Sequence, residues 1–302
     1  MSAPDLTLAL LALNMGYAPR SMAEVRDTVA DALVRAGDQG ASLLALPEYW
    51  CEAWLPMAPR GLAETEEIPW MAERADDLLP GLADLAREAG VALLAGTVPV
   101  AAGGGRYRNR AHLFLPDKRV LIQDKLSLTP DERDPESWNL EPGTRLDVVT
   151  WRGLRIAVVI CLDVEQPSLA ARLQGLDLDL VLVPTDTGRP SGHGRVFGCA
   201  RARAVELMAA VAPVGGVGPI PLDPPRPNHS AAAVYVPCEM GIAGGTGVVA
   251  EAAGSDASEG LGTMLVARDV PFGAVRAMRR EGEAEVWCGA WDAGRITIGE
   301  VA

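Results

Sequence analysis

Basic residues are scarce in this 302-residue chain: Lys plus Arg number 27 against 40 Asp plus Glu, a formal net charge of −13. Binding a polyanion depends on a basic footprint that displaces counterions from phosphates, so this balance argues against a nucleic-acid partner. An anionic membrane surface is disfavoured for the same reason. Long hydrophobic runs are missing too. The apolar stretch near the start, Leu6–Leu13, falls far short of the ~20 residues that cross a bilayer, and no Lys or Arg precedes it. It is expected to be neither signal peptide nor membrane anchor. Cysteine is sparse and unpatterned: Cys51, Cys161, Cys199, Cys238 and Cys288 are odd in number and contain no CxxC pair. That excludes a disulfide framework or zinc ribbon and fits a reducing cytoplasm. Three scattered histidines, His112, His193 and His229, do not supply a His-rich metal centre, and no metal is expected.

What is present is apolar bulk in a regular rhythm. Hydrophobic residues make up 49% of the chain and charged residues 22%, a globular balance. Residues 1–302 are read as a single domain. Short apolar runs alternate with longer amphipathic stretches, the pattern of strands exchanging with helices around sheets buried on both faces. Strands are expected at Leu6–Leu13, Leu43–Leu46, Val91–Thr97, Arg110–Leu115, Val120–Asp124, Ile156–Ile160, Leu178–Val183 and Ala231–Val236, with a Gly103-Gly104-Gly105 turn between the third and fourth. Residues 22–37 place Val25, Val29, Ala32, Leu33 and Ala36 at helical spacing. Residues 71–89 read as helix interrupted at Pro80–Gly81, and Pro167–Leu173 suits a crossover helix. Six prolines between Pro213 and Pro227 predict an irregular loop, either a linker or a lid. The segment from Gly247 to Ala302, rich in Gly, Ala and acid, reads as a packing or oligomer-contact tail.

Three residues stand where chemistry is expected. Cys161 in AVVICLDVEQP ends a β-branched apolar run just before a turn, where backbone N–H groups face whatever the thiol attacks. Glu48 in LLALPEYW follows a buried run and a proline, and partly dry surroundings raise a carboxylate toward usefulness as a general base near neutral pH. Lys125 in VLIQDKLSL is one of only two lysines, with Lys118, among 27 basic residues. A composition that otherwise chooses Arg signals a need for a compact ammonium beside a developing oxyanion. All three follow apolar runs at one sheet edge, where α/β proteins place their ligands.

With these residues in hand, the sequence resembles the nitrilase superfamily of carbon–nitrogen hydrolases over nearly its whole length. ALPEYW is similar to that family's glutamate segment, QDKLSLTPDER to its lysine segment and VVICLDVEQPSLA to its cysteine elbow; LVLVPTDT and ARARAVEL resemble the stretches that follow. The resemblance implies an α/β fold, a four-layer αββα sandwich, working without a cofactor in a homodimer or larger homo-oligomer. It implies that Cys161 is the nucleophile and Glu48 the base, with Lys125 and the Leu162 backbone N–H holding the oxyanion. A second glutamate near the lysine fits either Glu132, seven residues on, or Glu136. Glu132 is preferred because the DER run adjoins the lysine strand.

The pair Leu162–Asp163 after the cysteine departs from the family's usual aromatic residue and points to the amide-cleaving side. Tyr49, Trp138, Leu162 and Asp186 are the substrate-binding candidates, with Trp50, Trp54 and Thr187 as further possible pocket residues. The expected partner is a small-molecule amide, N-carbamoyl compound or nitrile. The competing readings are nitrile hydrolysis, a non-catalytic scaffold that kept the fold, and a metal-dependent phosphoesterase.

Overall fold

Alternate residues of the first strand, β1 (Leu6–Leu13), enter two different cores. Leu6, Leu8, Leu10 and Ala12 join one cluster, whereas Ala9, Leu11 and Leu13 join the other. A strand apolar on both faces has to be covered from both sides, and the rest of the chain does this. Each fully buried leucine contributes about 2 kcal/mol relative to an exposed one, so a slip of one residue, which would swap the faces, is strongly disfavoured. The computed structural model describes residues 4–256 and 260–281, with Ala284, Ile296 and Thr297.

After β1 comes α1 (Met22–Asp38), capped by Ser21, whose hydroxyl accepts from the Glu24 N–H at 3.2 Å. Then follow β2 (Leu43–Ala45), α2 (Glu64–Ala89), β3 (Ala92–Gly103), β4 (Arg106–Phe114) and β5 (Val120–Asp124). The second half contains α3 (Pro130–Arg133), β6 (Val149–Trp151), β7 (Leu154–Val158), α4 (Pro167–Leu173), β8 (Leu180–Thr185), α5 (Pro190–Leu207), β9 (Ala210–Gly215), β10 (Ala233–Tyr235), β11 (Val248–Glu251), β12 (Gly262–Val270) and α6 (Phe272–Glu281). The strands form two six-stranded mixed sheets, ordered β12-β1-β2-β3-β4-β5 and β11-β10-β9-β8-β7-β6. One core unites their facing sides, Leu8 and Leu10 with Ile156, Val158 and Leu182, and continues beneath Val196 and Ala200 of α5. The other packs Val25 and Val29 of α1 and Leu78 and Leu82 of α2 onto the outer face of the first sheet. The chain thus forms the α/β four-layer αββα sandwich.

Three expectations change. Helix α2 runs unbroken through Pro80 because Pro80 lies on its exposed face, while Ala75, Leu78, Leu82 and Ala86 keep the buried stripe continuous. Solvent reaches the exposed Asp76 carbonyl, which loses its helical donor at Pro80. Pro213 is not in a loop: it lies in β9, where burial of the whole Ala210–Gly215 run outweighs the one hydrogen bond that proline cannot donate. The irregular segment is residues 216–227. Of the segment 247–302, β12 pairs antiparallel with β1, and β11 with β10, so those strands complete both sheets rather than forming a tail. Cys288 and most residues beyond 281 lie outside the described residues.

Candidate active site

Glu48 is placed by a close crossing. Where the chain leaves β2, Pro47 passes over Gly96 of β3, whose φ is +55°, and a Cβ at residue 96 would overlap the Pro47 carbonyl oxygen. Tyr49 then adopts a left-handed φ of 46° and its N–H donates to Thr97 Oγ1 at 2.9 Å. Lys125 follows β5, its N–H held by the Asn109 carbonyl of β4 at 2.9 Å. Cys161 sits past the end of β7, also with φ 46°, on a sharp elbow that lifts the thiol from the sheet.

These three elbows converge. Lys125 Nζ donates to Glu48 Oε1 at 2.8 Å and to Glu132 Oε2 at 2.8 Å. Asn109 Nδ2 donates to Glu48 Oε1 at 2.7 Å, and the Tyr49 hydroxyl donates to Glu132 Oε1 at 2.7 Å. Glu48 Oε2 accepts from the Asp186 N–H at 2.8 Å, and Glu48 and Cys161 are close enough to influence each other's ionisation. Cys161 Sγ accepts from Thr185 Oγ1 at 3.1 Å and donates toward the Asp186 carbonyl at 3.5 Å. Glu48, Lys125 and Glu132 are only 1–2% exposed, and Cys161 6%.

Such burial sets the protonation states. It raises the Glu48 carboxyl above the ordinary range; Lys125 opposes this and Glu132 adds to it. Burial also drives the Cys161 thiol well up, reinforced by Glu48, so the sulfur rests as a thiol. For Lys125 burial acts downward, but Glu48 and Glu132 overcome it and the ammonium persists well above the usual lysine range. Glu132 is likewise disfavoured by burial, yet Lys125, the Thr129 N–H and the Tyr49 hydroxyl win and hold it below the ordinary glutamate range. Two carboxyls sharing one ammonium are thereby pushed apart, Glu132 as a fixed anion and Glu48 as the group able to take a proton.

Glu48, Lys125, Glu132 and Cys161 open into one cleft of about 440 Å³. The family model for carbon-nitrogen hydrolases matches residues 7–279. The chain belongs to the carbon-nitrogen hydrolase family. It is 31% identical over 184 residues to an (R)-stereoselective amidase from Pseudomonas sp, covering 61% of this chain and 62% of that one. It is 32% identical over 151 residues to the probable hydrolase YhcX of Bacillus subtilis, half of this chain and 29% of that relative. These matches therefore span less than two thirds of either relative. A cysteine-to-alanine mutant of the amidase from Nesterenkonia sp. AN1, in complex with butyramide, shares the fold at a TM-score of 0.67 and 24% identity, over 93% of this chain and 97% of that one.

Among the segments that resemble carbon-nitrogen hydrolases, those carrying Glu48, Lys125 and Cys161 all reach the cleft, and Glu132 rather than Glu136 joins them. Glu136 is exposed, its N–H turned to Asp134 Oδ1 at 2.9 Å. Tyr49 and Trp138 line the cleft with ring centroids 4.8 Å apart, edge to face, and Asp186 lies beside them. Leu162 does not line it; as the residue after Cys161, it brings its backbone next to the thiol. Trp50 and Trp54 are core, fully buried in the cluster under α1 and α2, and Thr187 is tied to the His229 carbonyl at 2.6 Å. No histidine lines the cleft: His112 stacks on Phe114, and His193 faces His229.

Sequence reasoning missed Asn109, Thr185, Glu52 and Arg226. Asn109 is an uncharged polar residue fully buried within β4, and a polar side chain in the middle of a strand was the available signal. Arg226, from the proline-rich segment, lines the cleft and bridges Glu52 at 2.6 Å and Glu67 at 2.8 Å.

Proposed function

We propose that this carbon-nitrogen hydrolase cleaves the C–N bond of a small linear amide or N-carbamoyl compound through a Cys161 thioester, releasing ammonia. The observation that carries the reading is the meeting of Glu48, Lys125 and Cys161 in one cleft, with Lys125 Nζ 2.8 Å from Glu48. Glu48 takes the thiol proton as Cys161 sulfur attacks the carbonyl carbon. The carbonyl oxygen becomes an oxyanion held by the Lys125 ammonium and the Leu162 backbone N–H, donors already oriented before reaction. The C–N bond then breaks, and the proton on Glu48 passes to the departing nitrogen. Water next enters, gives a proton to Glu48 and attacks the thioester; the C–S bond breaks, the acid leaves and Glu48 returns the proton to sulfur.

Glu132 keeps Lys125 charged and aimed, and the Tyr49 and Asn109 hydrogen bonds hold Glu132 in turn. Free cysteines among the described residues support a reducing cytoplasmic setting. The family resemblance supports a homodimer or larger homo-oligomer, which light scattering would measure. The functional test is ammonia release from a panel of amides, N-carbamoyl compounds and matched nitriles by wild type and Cys161→Ala. Amide turnover that vanishes in the variant supports the reading. Turnover surviving in Cys161→Ala, or confined to nitriles, overturns it.

A further inference from the structure

Acid dominates the cleft wall beyond the reacting trio. Six carboxyl groups line it, Glu52, Glu64, Asp131 and Asp186 beside Glu48 and Glu132, against two cations, Lys125 and Arg226. Both cations are already committed. Lys125 serves Glu48 and Glu132, and Arg226 gives Nη1 to Glu52 at 2.6 Å and Nη2 to Glu67 at 2.8 Å. An arriving carboxylate finds no free positive group here and meets unneutralised acids of its own sign.

Asp186 is the acid the catalytic arrangement leaves over. Its main chain is anchored at the reacting centre, the N–H on Glu48 at 2.8 Å and the carbonyl 3.5 Å from the Cys161 sulfur. Asp186 also lines the cleft into which Cys161 opens. No hydrogen bond or ion pair to its carboxyl is seen among the described residues, and the charges of Glu52 and Glu48 act on it more strongly than those of Lys125 and Arg226. Burial, then the charges of Glu52 and Glu48, push it well above the ordinary aspartate range against the opposing pull of Lys125 and Arg226, so it rests as a neutral acid. A cation placed against it would make ionisation favourable. Tyr49 and Trp138 line the same cleft, and aromatic faces attract an alkylammonium.

We propose that the cleft selects amides bearing a positively charged amine close to the scissile carbonyl, short α- or β-amino amides, with Asp186 as the partner of the ammonium. This rests on the amide-hydrolysis reading above. Binding exchanges the Asp186 proton, lost to solvent, for the substrate ammonium. A neutral amide leaves Asp186 protonated at no electrostatic cost, and an anionic amide meets only repulsion, so the order of preference is cation, neutral, anion.

The test compares kcat/KM for three amides of similar length: β-alaninamide, butyramide and succinamate. Wild type should favour β-alaninamide over butyramide by at least about tenfold, the scale of one charge-assisted hydrogen bond, and succinamate should be the poorest. Asp186→Asn should bring the ratio of cationic to neutral substrate close to one. Equal or reversed preference in wild type, or a ratio unchanged in Asp186→Asn, overturns the proposal while leaving amide hydrolysis standing. Turnover of none of the three defeats the amide-hydrolysis reading itself, which is a distinguishable result. A further measurement needs no variant: propylammonium should compete with butyramide at least about tenfold more tightly than propionate does, and equal or weaker inhibition counts against the charge selection.

Discussion

The Asp163 carboxylate meets the Ser127 backbone N–H at 2.6 Å, joining the turn that carries Cys161 to the loop that follows Lys125. The same side chain, 1% exposed, accepts from the N–H groups of Leu126 at 3.1 Å and Ile160 at 3.1 Å. Lys125 leaves a strand of the first sheet and Cys161 a strand of the second. Two sheets packed by apolar contact are free to adjust by fractions of an ångström, yet the proposed oxyanion stabilisation requires the ammonium and the sulfur in fixed relation. One buried carboxylate spanning both strand ends provides that relation.

Asp163→Ala should therefore act twice. Three N–H groups lose their acceptor, which costs about 3 kcal/mol after partial rescue by water. Because the ammonium and the sulfur lose their mutual alignment, kcat should fall by at least about tenfold while KM moves much less. Thermal denaturation with steady-state kinetics reads both. A variant of unchanged stability and normal kcat would show that the link between the sheets is idle.

Glu132→Gln tests the division of labour between the carboxyls. Glu132 is one of the charges that raise Glu48, so removing it lets the Glu48 pKa fall. With Glu48 as the proposed base, activity requires it ionised and the acid limb of kcat/KM follows its pKa; the limb should move to lower pH. The plateau should drop as well, since Lys125 loses one of its two anionic partners. A pH–rate profile decides it, and an acid limb displaced upward would contradict the electrostatic assignment.

How much of this is legible in the sequence depends on whether a residue's setting is local. Glu48, Lys125 and Cys161 each follow an apolar run, and strand ends are local features, so the three positions could be read from sequence. The expectation of one shared sheet edge fails, because Glu48 and Lys125 leave the first sheet and Cys161 leaves the second. Glu52 and Arg226 are 174 positions apart, and no local pattern announces that pairing. Tyr49 and Trp50 are adjacent, yet one lines the cleft and the other is core. The left-handed turn at Tyr49 decides which ring faces which way, and it exists because Pro47 crosses Gly96 from another strand. Pro80 misled for the opposite reason: its local preference to break a helix is real, but tertiary burial of the opposite face overrides it.

The bridge made by Arg226 supports stability as well as the cleft wall. Glu52 is 2% exposed, and Arg226→Ala leaves it a buried carboxyl without its cation, at a cost of roughly 3 kcal/mol. Adding Glu52→Gln removes the stranded charge, and the double variant should recover more than half of the loss. Denaturant titration of the four proteins completes the cycle. Strict additivity of the two single substitutions would mean that the ion pair does not couple these segments.

Gly96→Ala should be among the most damaging single-methyl changes outside the reacting groups. The added carbon overlaps the Pro47 carbonyl oxygen and comes within 2.9 Å of Trp50 Cδ1, and the residue's φ of +55° already disfavours any side chain. The strand cannot yield, because the flanking residues Ala95 and Thr97 are both essentially inaccessible, so the Pro47–Tyr49 segment has to move. Glu48 moves with it, away from Lys125 and the sulfur. The expected outcome is about 3 kcal/mol of lost stability together with at least about a hundredfold loss of kcat/KM in the fraction that remains folded. Activity per folded molecule, obtained by counting alkylatable Cys161, separates the two effects. Full specific activity in the folded fraction would show that the crossing at Gly96 supports the fold and does not position the base.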